Sequence, residues 1–422
     1  MSEWKELYLS DVGTLARGKS KHRPRWADHL YGGSYPFIQT GDISAANKYI
    51  NTYRQTYSEA GLEQSKLWDT GTLCITIAAN IAEIAILDFS ACFPDSVLGF
   101  TPDSEKVDLD FLFYTLTFFK DRIKNLAIGS VQENINLGTF QNIKFLFPPI
   151  DEQKKVAVGL SCLDRKISNL RQQNETLESI AQTLFKHWFV DFEFPNEDGK
   201  PYKSSGGAMV RSDLGNIPVG WEVRKLGDFC NIKHGYAFTG EFITTEETAQ
   251  ILLTPGNFRI GGGFNSSKYK YYSDDDYNKE YILESGDLIV NMTDLSKEGD
   301  SLGYPAFVPK SSTYSFLHNQ RLGKVINSKI NLFYLFYLLC RREYRSHILG
   351  TASGSTVRHT SPSRILEHKF PVPGQEILDK FSLITRSLIE KISSHDEQIQ
   401  TLTQTRDRLL PKLMSGQLRI PE

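Results

Sequence analysis

Internal repetition constrains the fold of this chain more than any other feature of its sequence. Trp4 and Trp221 each open a segment with the pattern W-x(4)-L-x-D. Three further pairs are separated by one identical interval, which differs little from that between the tryptophans: Gly41 with Gly256, Tyr57 with Tyr272, and Gly71 with Gly286. Because a constant interval over several features is rarely accidental, the sequence predicts two copies of one structural plan.

The repeat continues along the chain. Residues 95–99 align with residues 319–323, and residues 112–114 align with residues 335–337, at slightly larger intervals. Each copy then carries a Gly-Ser pair, a proline-bearing strand and a long helical stretch. A chain of 422 residues exceeds the size at which one hydrophobic core stops growing, so we expect at least two globular units.

The two long helical stretches have the clearest periodicity. Apolar residues recur in them at steps of four and three, the heptad spacing of a coiled coil, with one slip of register in the second stretch. A helix of about 36 residues is about 54 Å long, longer than a unit of about 150 residues needs for its own core. We therefore predict that the helices pack antiparallel through a seam formed by Leu163, Ile167, Leu170, Asn174, Leu177, Leu388, Ile392, His395, Ile399 and Leu402.

Two polar residues interrupt this seam. Asn174 lies near the middle of the first helix, and His395 lies near the middle of the second. Antiparallel packing would let the two side chains meet and fix the register of the helices. The alternative is that each is solvated or bonded within its own helix.

Composition excludes several classes of protein. A net charge of −2 argues against a general polyanion binder, so a nucleic-acid surface would need charges segregated onto one face. The five cysteines have no paired spacing, which fits neither a disulfide framework nor a zinc cluster and favours the cytoplasm. The start of the chain lacks a signal pattern, and the longest apolar run, residues 332–340, is too short to span a membrane and predicts a buried helix.

One motif formally matches a phosphate-binding loop. Gly13–Ser20 fits G-x-x-x-x-G-K-[ST], in which backbone amides and the lysine hold nucleotide phosphates. That loop must open a helix, yet Pro24 follows closely and is a poor start for one. The second copy has Tyr236 where the motif has Lys19, so we do not expect a nucleotide site.

Other catalytic motifs are equally weak. Glu152 and Glu367 have the Glu-x-Lys spacing of some nucleases, but neither has a convincing metal-binding aspartate on a nearby strand. Glu152 fits better in the first turn of a helix, where the dipole favours a carboxylate. The run 147–150 lacks the polar residue of an adenine methyltransferase motif, and a glycine fingerprint for a methyl donor is not visible. We therefore predict no catalytic residue, no metal site and no cofactor bound by this chain.

Polar and basic loops remain as candidates for function. Five Lys and Arg residues crowd into residues 17–25, a pattern suited to phosphates, although a solvated basic loop is the alternative. The second copy has clusters at 318–321 and 353–359 whose Asn, Gln and Arg side chains could read bases or simply form polar turns. The candidate DNA-contacting residues are Arg17, Lys19, Lys21, Arg23, Arg25, Gln39, Ser130, Gln132, Lys233, His234, Asn257, Asn319, Gln320, Arg321, Ser355, Thr356, Arg358 and His359.

The combination of motifs resembles the specificity subunit of type I restriction-modification systems. The similarity rests on the duplicated W-x(4)-L-x-D openings, on GSTVRHTSPSRI followed by KFPVP, on LFKHWFVDFEF, and on the ending RDRLLPKLMSGQLRI. The first copy departs from it, with GSVQENINLGTF where the second has GSTVRHTSPSRI, so contacts carry over less securely there.

The resemblance implies an α+β fold of two tandem mixed α/β target-recognition domains, each followed by a long helix. The two helices would form an antiparallel coiled coil with pseudo-two-fold symmetry. We expect recognition domains at 1–150 and 221–373, spacer helices at 151–192 and 374–416, a linker at 193–220 and a tail at 417–422.

Membership would also imply a function. The chain would recognise a bipartite site in double-stranded DNA and perform no covalent step. Its helices, including the seam residues given above, would dock two modification (methyltransferase) subunits that bring S-adenosylmethionine, and through them two restriction subunits that use ATP and Mg²⁺. The alternatives are an enzyme built on the weak motifs above, or an adaptor that binds only proteins through the helical seam.

Overall fold

The computed structural model describes residues 4–78, 81–128, 138, 140 and 142–420. The chain forms two compact units, which we call unit 1 (residues 1–170 and 398–422) and unit 2 (residues 171–397). Two helices of 40 residues, Ile150–Phe189 and Gln375–Met414, each contribute to both units.

Unit 1 contains short helices and two main sheets. Its helices are α1 (Leu9–Val12), α2 (Thr40–Ala45), α3 (Glu59–Glu63), α4 (Leu109–Phe118) and α5 (Lys120–Ile128), and the first long helix is α6 (Ile150–Phe189). Its strands are β1 (Lys5–Tyr8), β2 (Gly13–Arg17), β3 (Tyr31–Phe37), β4 (Tyr49–Ile50), β5 (Gln55–Tyr57), β6 (Leu67–Trp68), β7 (Leu73–Thr76), β8 (Ile84–Leu87), β9 (Ala91–Cys92), β10 (Val97–Pro102) and β11 (Lys144–Phe147).

Unit 2 repeats this arrangement. Its strands are β12 (Met209–Ser212), β13 (Gly215–Pro218), β14 (Glu222–Lys225), β15 (Asn231–His234), β16 (Ile243–Thr244), β17 (Gln250–Leu253), β18 (Tyr271–Tyr272), β19 (Ile282–Leu283), β20 (Leu288–Asn291), β21 (Thr293–Asp294), β22 (Pro305–Phe307), β23 (Ser315–His318), β24 (Leu322–Ile326), β25 (Arg358–His359) and β26 (Lys369–Val372). Its helices are α7 (Leu332–Leu339), α8 (Arg342–Thr351), α9 (Pro362–Leu366) and the second long helix α10 (Gln375–Met414).

The sheet topologies confirm the duplication. One sheet has the order β2-β10-β7-β8-β4 in unit 1 and β15-β24-β20-β22 in unit 2. The other has the order β5-β3-β9-β6 in unit 1 and β16-β18-β17-β23-β19 in unit 2, with a parallel pair (β3 with β9, β17 with β23) inside each. A two-stranded ladder, β1 with β11 or β14 with β26, completes each copy. Each sequence repeat therefore folds into the same mixed α/β domain.

Strand register corrects one part of the sequence alignment. Leu98 lies opposite Arg17 in unit 1, whereas Gly323 lies opposite His234 in unit 2. Arg17 and His234 are equivalent positions, because the same interval separates them as separates the two opening tryptophans. Leu98 of β10 therefore corresponds to Gly323 of β24, and the alignment of residues 95–99 with 319–323 was wrong by one residue. The sequence alignment matched Leu98-Gly99 with Leu322-Gly323 because the residues are identical. The strand pairing instead matches Leu98 with Gly323, one residue later in β24.

The apolar runs of the sequence form the two cores. Strands β7 and β8 are buried at every position, as expected for central strands covered on both faces. Helix α4 packs with these strands in the core of unit 1. Helix α7, the longest apolar run, is buried from Tyr334 to Leu339, which confirms the prediction of a buried helix. In the part of the chain that the structure describes, no helix is long and apolar enough to cross a membrane.

The long helices pack antiparallel within each unit. In unit 1, Asp164 of α6 pairs with Arg406 of α10 at 2.8 Å. In unit 2, Phe185 of α6 packs against Phe381 of α10, with ring centroids 5.7 Å apart. Of the predicted seam residues, Ile167, Leu170, Asn174 and His395 are buried, and the others are half-buried.

The predicted meeting of Asn174 and His395 is confirmed. The Asn174 Oδ1 atom lies 2.7 Å from Nδ1 of His395, and Asn174 Nδ2 donates to Asp396 Oδ1 at 2.9 Å. Near the N-terminal part of α10, Ile384 is 40% exposed, whereas Thr385 is buried and its hydroxyl donates to the carbonyl oxygen of Phe381.

Both long helices end slightly before their predicted limits of 192 and 416. Phe192 and Gly416 adopt left-handed backbone conformations, with φ of 61° and 73°. The amide nitrogen of Glu193 donates to His187, and that of Leu418 donates to Lys412, each at 2.9 Å. Such bonds satisfy the last carbonyl groups of a helix and stop it.

The segment 193–220 differs from the expected surface linker. It contains the hairpin β12–β13 and buries Phe194 and Ile217 in the core of unit 2. The Phe194 ring stacks on Trp221 with centroids 5.3 Å apart. A few apolar residues in a polar segment carry no periodic signal, so sequence reasoning missed this packing.

We predict that replacing Asn174 with alanine lowers the unfolding free energy by about 1–3 kcal/mol. The substitution leaves the buried His395 ring and the Asp396 carboxylate without this partner, and a buried polar group that loses its partner carries its desolvation cost. Gln172→Ala, on the exposed face of the same helix, is the control and should change stability by less than about 0.5 kcal/mol. Denaturant unfolding measures both variants, and equal stability would contradict the register role of Asn174.

Candidate nucleic-acid interface

The candidate residues of unit 1 gather where strands of both sheets end. Strand β2 ends at Arg17, and the backbone amides of Gly18 and Lys19 donate to the carbonyl oxygens of Val97 (2.9 Å) and Phe93 (3.1 Å). The loop that starts at residue 18 therefore packs on residues 93–96. We call this set of strand ends, and its counterpart in unit 2, the loop edge.

Hydrogen bonds hold the basic loop of unit 1 in place. Arg25 forms two bonds to the carboxylate of Asp95, at 2.7 and 3.0 Å. Arg23 donates to the carbonyl oxygens of Ser20 and His22. Residues 17–25 contain no acidic side chain, and the carboxylate that pairs with Arg25 comes from Asp95, 70 residues later in the sequence. The guanidinium groups of Arg23 and Arg25 are thus engaged within the loop edge.

Exposed lysines are the more available cations of this loop. Lys19 and Lys21 are exposed, and neither forms an ion pair with a residue that the structure describes. The Arg25–Asp95 pair is also partly exposed, with 42% and 35% of the two side chains accessible, so it contributes little to stability.

Gln39 lies at the same edge, just beyond the end of β3. The parallel pairing of Phe37 with Cys92 places residues 39 and 93–96 at the carboxyl ends of neighbouring strands. The Gln39 side-chain amide donates to Gln55 Oε1 at 2.6 Å, which orients it against the next strand. Ser130 and Gln132 lie outside the described residues.

Unit 2 assembles its loop edge from corresponding segments. Strand β15 ends at His234, and the amide of Gly235 donates to Leu322. Tyr236 donates from its amide to His318 and accepts from the amide of Gln320, each at 2.8 Å. Lys233 and His234 are thereby brought next to the predicted residues Asn319, Gln320 and Arg321. His234, Gln320 and Arg321 are exposed.

The predicted segment 353–359 lies next to residues 319–321, and Met292 connects the two. The Met292 amide donates to Arg321, and its carbonyl oxygen accepts from the amide of Thr360. Strand β25, which holds Arg358 and His359, pairs with β21 immediately after Met292. The other two predicted residues of this segment, Ser355 and Thr356, are exposed. Segments that are far apart in the sequence therefore meet on one surface of unit 2.

Asn257 does not belong to this surface, and its prediction as a DNA contact was wrong. The side chain is fully buried and caps a short turn. Its Oδ1 accepts from the Thr254 amide at 2.8 Å, and its Nδ2 donates to the carbonyl oxygens of Asn265 and Lys268. The side-chain oxygen and both amide hydrogens of Asn257 form hydrogen bonds within the loop, so none of them is available to contact DNA.

Lys233 is also constrained. Its ammonium group lies 3.3 Å from Glu280 and 4.6 Å from the centre of the Tyr281 ring. Next to it, His318 is buried, and its Nε2 lies 3.0 Å from the carbonyl oxygen of Leu322. Burial lowers the pKa of His318 to about 4, so this ring is neutral at pH 7 and supports the loop without adding charge.

Sequence reasoning missed Tyr236 and Asp95. Tyr236 is 41% exposed and corresponds in the repeat to Lys19, which was the available signal. Asp95 follows a buried strand and has no pattern that links it to a loop 70 residues earlier. The antiparallel pairing of β2 with β10, which places Arg17 opposite Leu98, brings the two segments together.

The discounted motifs have structural roles. Gly13–Arg17, which would form the phosphate loop, is strand β2, and no helix follows its lysine directly. Glu152 lies in the first turn of α6, as predicted, and accepts a hydrogen bond from the Trp4 indole. Glu367 follows the last turn of α9. Among the residues that the structure describes, no three His, Cys, Asp or Glu side chains are placed to hold a metal ion.

Comparisons with known proteins agree on one family. The family model for the type I restriction modification DNA specificity domain matches residues 1–179 and 218–402. The type I restriction enzyme MjaIX specificity subunit of Methanocaldococcus jannaschii is 28% identical over 100% of this chain and 94% of its own length. The type I restriction enzyme HindI specificity subunit of Haemophilus influenzae is 24% identical over 99% of this chain and 100% of its own.

A solved structure shares the fold. The crystal structure of a type I restriction-modification system S subunit from M. genitalium has a TM-score of 0.59 and 16% sequence identity, and the match covers 98% of this chain and 96% of that one. The family model matches both copies of the repeat, each with part of its long helix. The chain therefore belongs to the type I restriction modification DNA specificity family and carries the family's domain twice.

Proposed function

We propose that this chain reads a bipartite site in double-stranded DNA, one half-site with each loop edge. The observation that supports it most strongly is the loop edge itself, which collects exposed basic and polar side chains at equivalent strand ends in both units. Specificity subunits of type I systems recognise DNA and perform no covalent step, and the chain is a recognition subunit of this kind.

The side chains divide into two tasks. Lys19 and Lys21 are free to bind phosphates, which would position unit 1 without selecting sequence. In unit 2, Gln320 and Arg321 are exposed at the loop edge, and their side chains suit adenine and guanine in the major groove. The half-site of unit 2 would therefore depend on direct base contacts from this loop.

The long helices would set the spacing between half-sites and dock the other subunits. Within unit 2, Ile180 of α6 and Leu383 of α10 leave 49% and 76% of their surface exposed. Membership of the specificity family supports the docking of two methyltransferase subunits, which carry S-adenosylmethionine, on the long helices. These subunits would in turn hold two restriction subunits that use ATP and Mg²⁺. The five cysteines are free thiols, in keeping with a cytoplasmic complex.

Methylation mapping tests the recognition role. Genomic DNA from cells that express the chain with its methyltransferase partner should carry methylated adenine in one bipartite motif. The double substitution Gln320→Ala with Arg321→Ala should relax or change one half of the motif and leave the other intact, because both residues belong to unit 2. Methylation without any shared motif would instead favour an adaptor that binds only proteins.

Helix length tests the spacer role. Seven residues in heptad phase are inserted after Leu170 in α6 and after Ile399 in α10, which lengthens both helices by about 10 Å. The spacer between half-sites should grow by about 3 base pairs, while each half-site stays the same. Seven residues inserted between Ser205 and Gly206, in an exposed turn, should leave the spacer unchanged. An unchanged spacer in the helix variant would refute the ruler model.

Salt dependence tests the phosphate contacts. Lys19→Ala with Lys21→Ala should weaken binding of all sequences alike and reduce the slope of log affinity against log salt by up to about 2. Lys106→Ala is the control, because Lys106 follows the opposite end of β10. Titrations at several salt concentrations measure the slope. A change in preferred sequence, with the slope retained, would mean that these lysines read bases.

A further inference from the structure

Unit 1 exposes a tryptophan at its loop edge. Trp26 is 66% exposed, whereas Trp68, Trp188 and Trp221 are at most 7% exposed. An indole ring is among the most apolar surfaces that a protein can bury, so a largely exposed one next to cationic side chains needs a reason. It follows Arg23 and Arg25 in the loop that packs on residues 93–96.

The Trp26 ring is held from behind. It stacks on Tyr31 with centroids 6.4 Å apart and an angle of 14° between the planes. Tyr31 in turn lies 5.2 Å from Tyr57 and 6.1 Å from Phe37, both of which are buried. The Tyr31 hydroxyl donates to the carbonyl oxygen of Arg25, which ties the loop to this column of rings. One face of the indole is therefore supported, and the exposed remainder is presented to solvent.

Unit 2 also exposes a ring at its loop edge, at the position of Lys19 and not of Trp26. The loop after β15, the counterpart of β2, carries Tyr236, which is 41% exposed. Its ring lies 5.2 Å from Tyr281 at 35°, and the Lys233 ammonium group lies on the Tyr281 ring. The two rings occupy different positions of the repeat, yet each is backed by a second ring and lies near cationic residues of the loop edge. Each unit therefore offers a flat ring beside cations, and one kind of ligand would suit both.

Nucleic acid is a ligand of this kind. A ligand that suits cations and a flat apolar ring together must offer negative charge beside aromatic faces, and DNA does so where phosphates flank a base step. Side chains that enter a base step unstack it in part and bend the duplex. Stacking on a base is tolerant of sequence, but the ease of opening a step is not, because pyrimidine–purine steps deform most readily.

We propose that Trp26 and Tyr236 each open a base step of the half-site read by their own unit and stack on one base there, through the ring face that Tyr31 or Tyr281 leaves uncovered. This inference rests on the proposed DNA-reading function and extends it. Each ring selects sequence through the deformability of the step that it opens. Preference at that position therefore comes from DNA stiffness and not from a hydrogen bond.

Photocrosslinking tests the stacking directly. The full-length chain is assembled with its methyltransferase partner and bound to duplexes in which 5-iodouracil replaces one thymine at a time across both half-sites and their flanks. Long-wavelength light couples this base to aromatic side chains that stack on it. Mass spectrometry of the adducts should identify the Trp26 peptide at a position in one half-site and the Tyr236 peptide in the other.

Affinity measurements complete the test. Trp26→Ala should weaken binding of the cognate duplex by roughly tenfold, and Trp26→Phe, which keeps a ring, by much less. Tyr49→Ala removes a ring of β4 that is 42% exposed and bonded to Asp110 of α4, away from the loop edge, and should leave the affinity for DNA unchanged. Thermal unfolding checks that each variant folds, which the exposure of Trp26 leads us to expect.

The outcomes separate the two proposals. The stacking inference is overturned if Trp26→Ala binds as tightly as wild type and no adduct forms at either ring. If the wild-type complex still selects a bipartite motif, the proposed function stays intact. Loss of the methyltransferase partner from Trp26→Ala, with adducts absent, also overturns the stacking inference and assigns the ring to a protein contact. Failure of the wild-type complex to select any motif overturns the proposed function itself.

Discussion

The hydrogen bond between Asn174 and His395 joins side chains that are only 7% and 3% exposed. A polar pair buried in an apolar seam tolerates one alignment of the helices, because each group would otherwise lose a partner at a cost of about 1–3 kcal/mol. A slip of one heptad would place Asn174 opposite Leu388 or Leu402. The apolar seam alone would accept such a slip, so the polar contact selects the register.

The carboxyl group of Asp396, which is bonded to Asn174, also responds to the charge of the globular part of unit 2. Asp396 accepts from Asn174, and burial raises the pKa of this carboxyl group, while the charge of Arg259 acts in the opposite direction. Burial likewise raises the pKa of Glu178 on α6, against the same guanidinium. Arg259 lies in the loop after β17, so one cation from the globular part of unit 2 acts on a carboxyl group of each long helix, although burial outweighs it and leaves both pKa values raised.

Periodicity and repetition predicted the parts of the structure that depend on many residues at once. The duplicated domain, the two helices and the meeting of Asn174 with His395 all follow from patterns that extend over long stretches of the chain. Single-residue features were less accessible. The register of β24, the burial of Asn257 and the pairing of Arg25 with Asp95 depend on hydrogen bonds between distant segments, and no local pattern encodes them. The packing of Phe194 in the segment predicted as a linker was missed for the same reason.

The buried imidazole of His318 makes the two recognition domains unequal in acid. Its pKa of about 4 in the folded state lies below the ordinary 6.5, so the contribution of this ring to folding stability is fully present above pH 6.5 and is lost as the pH falls toward 4. In the register that pairs Leu98 with Gly323, its counterpart in unit 1 is Phe93, which is buried against Trp68 and does not titrate. Protonation of His318 therefore destabilises the packing beneath the loop that carries Gln320 and Arg321, whereas Phe93 gives unit 1 no such dependence on pH at the equivalent position. Two copies of one fold thus differ in their response to acid.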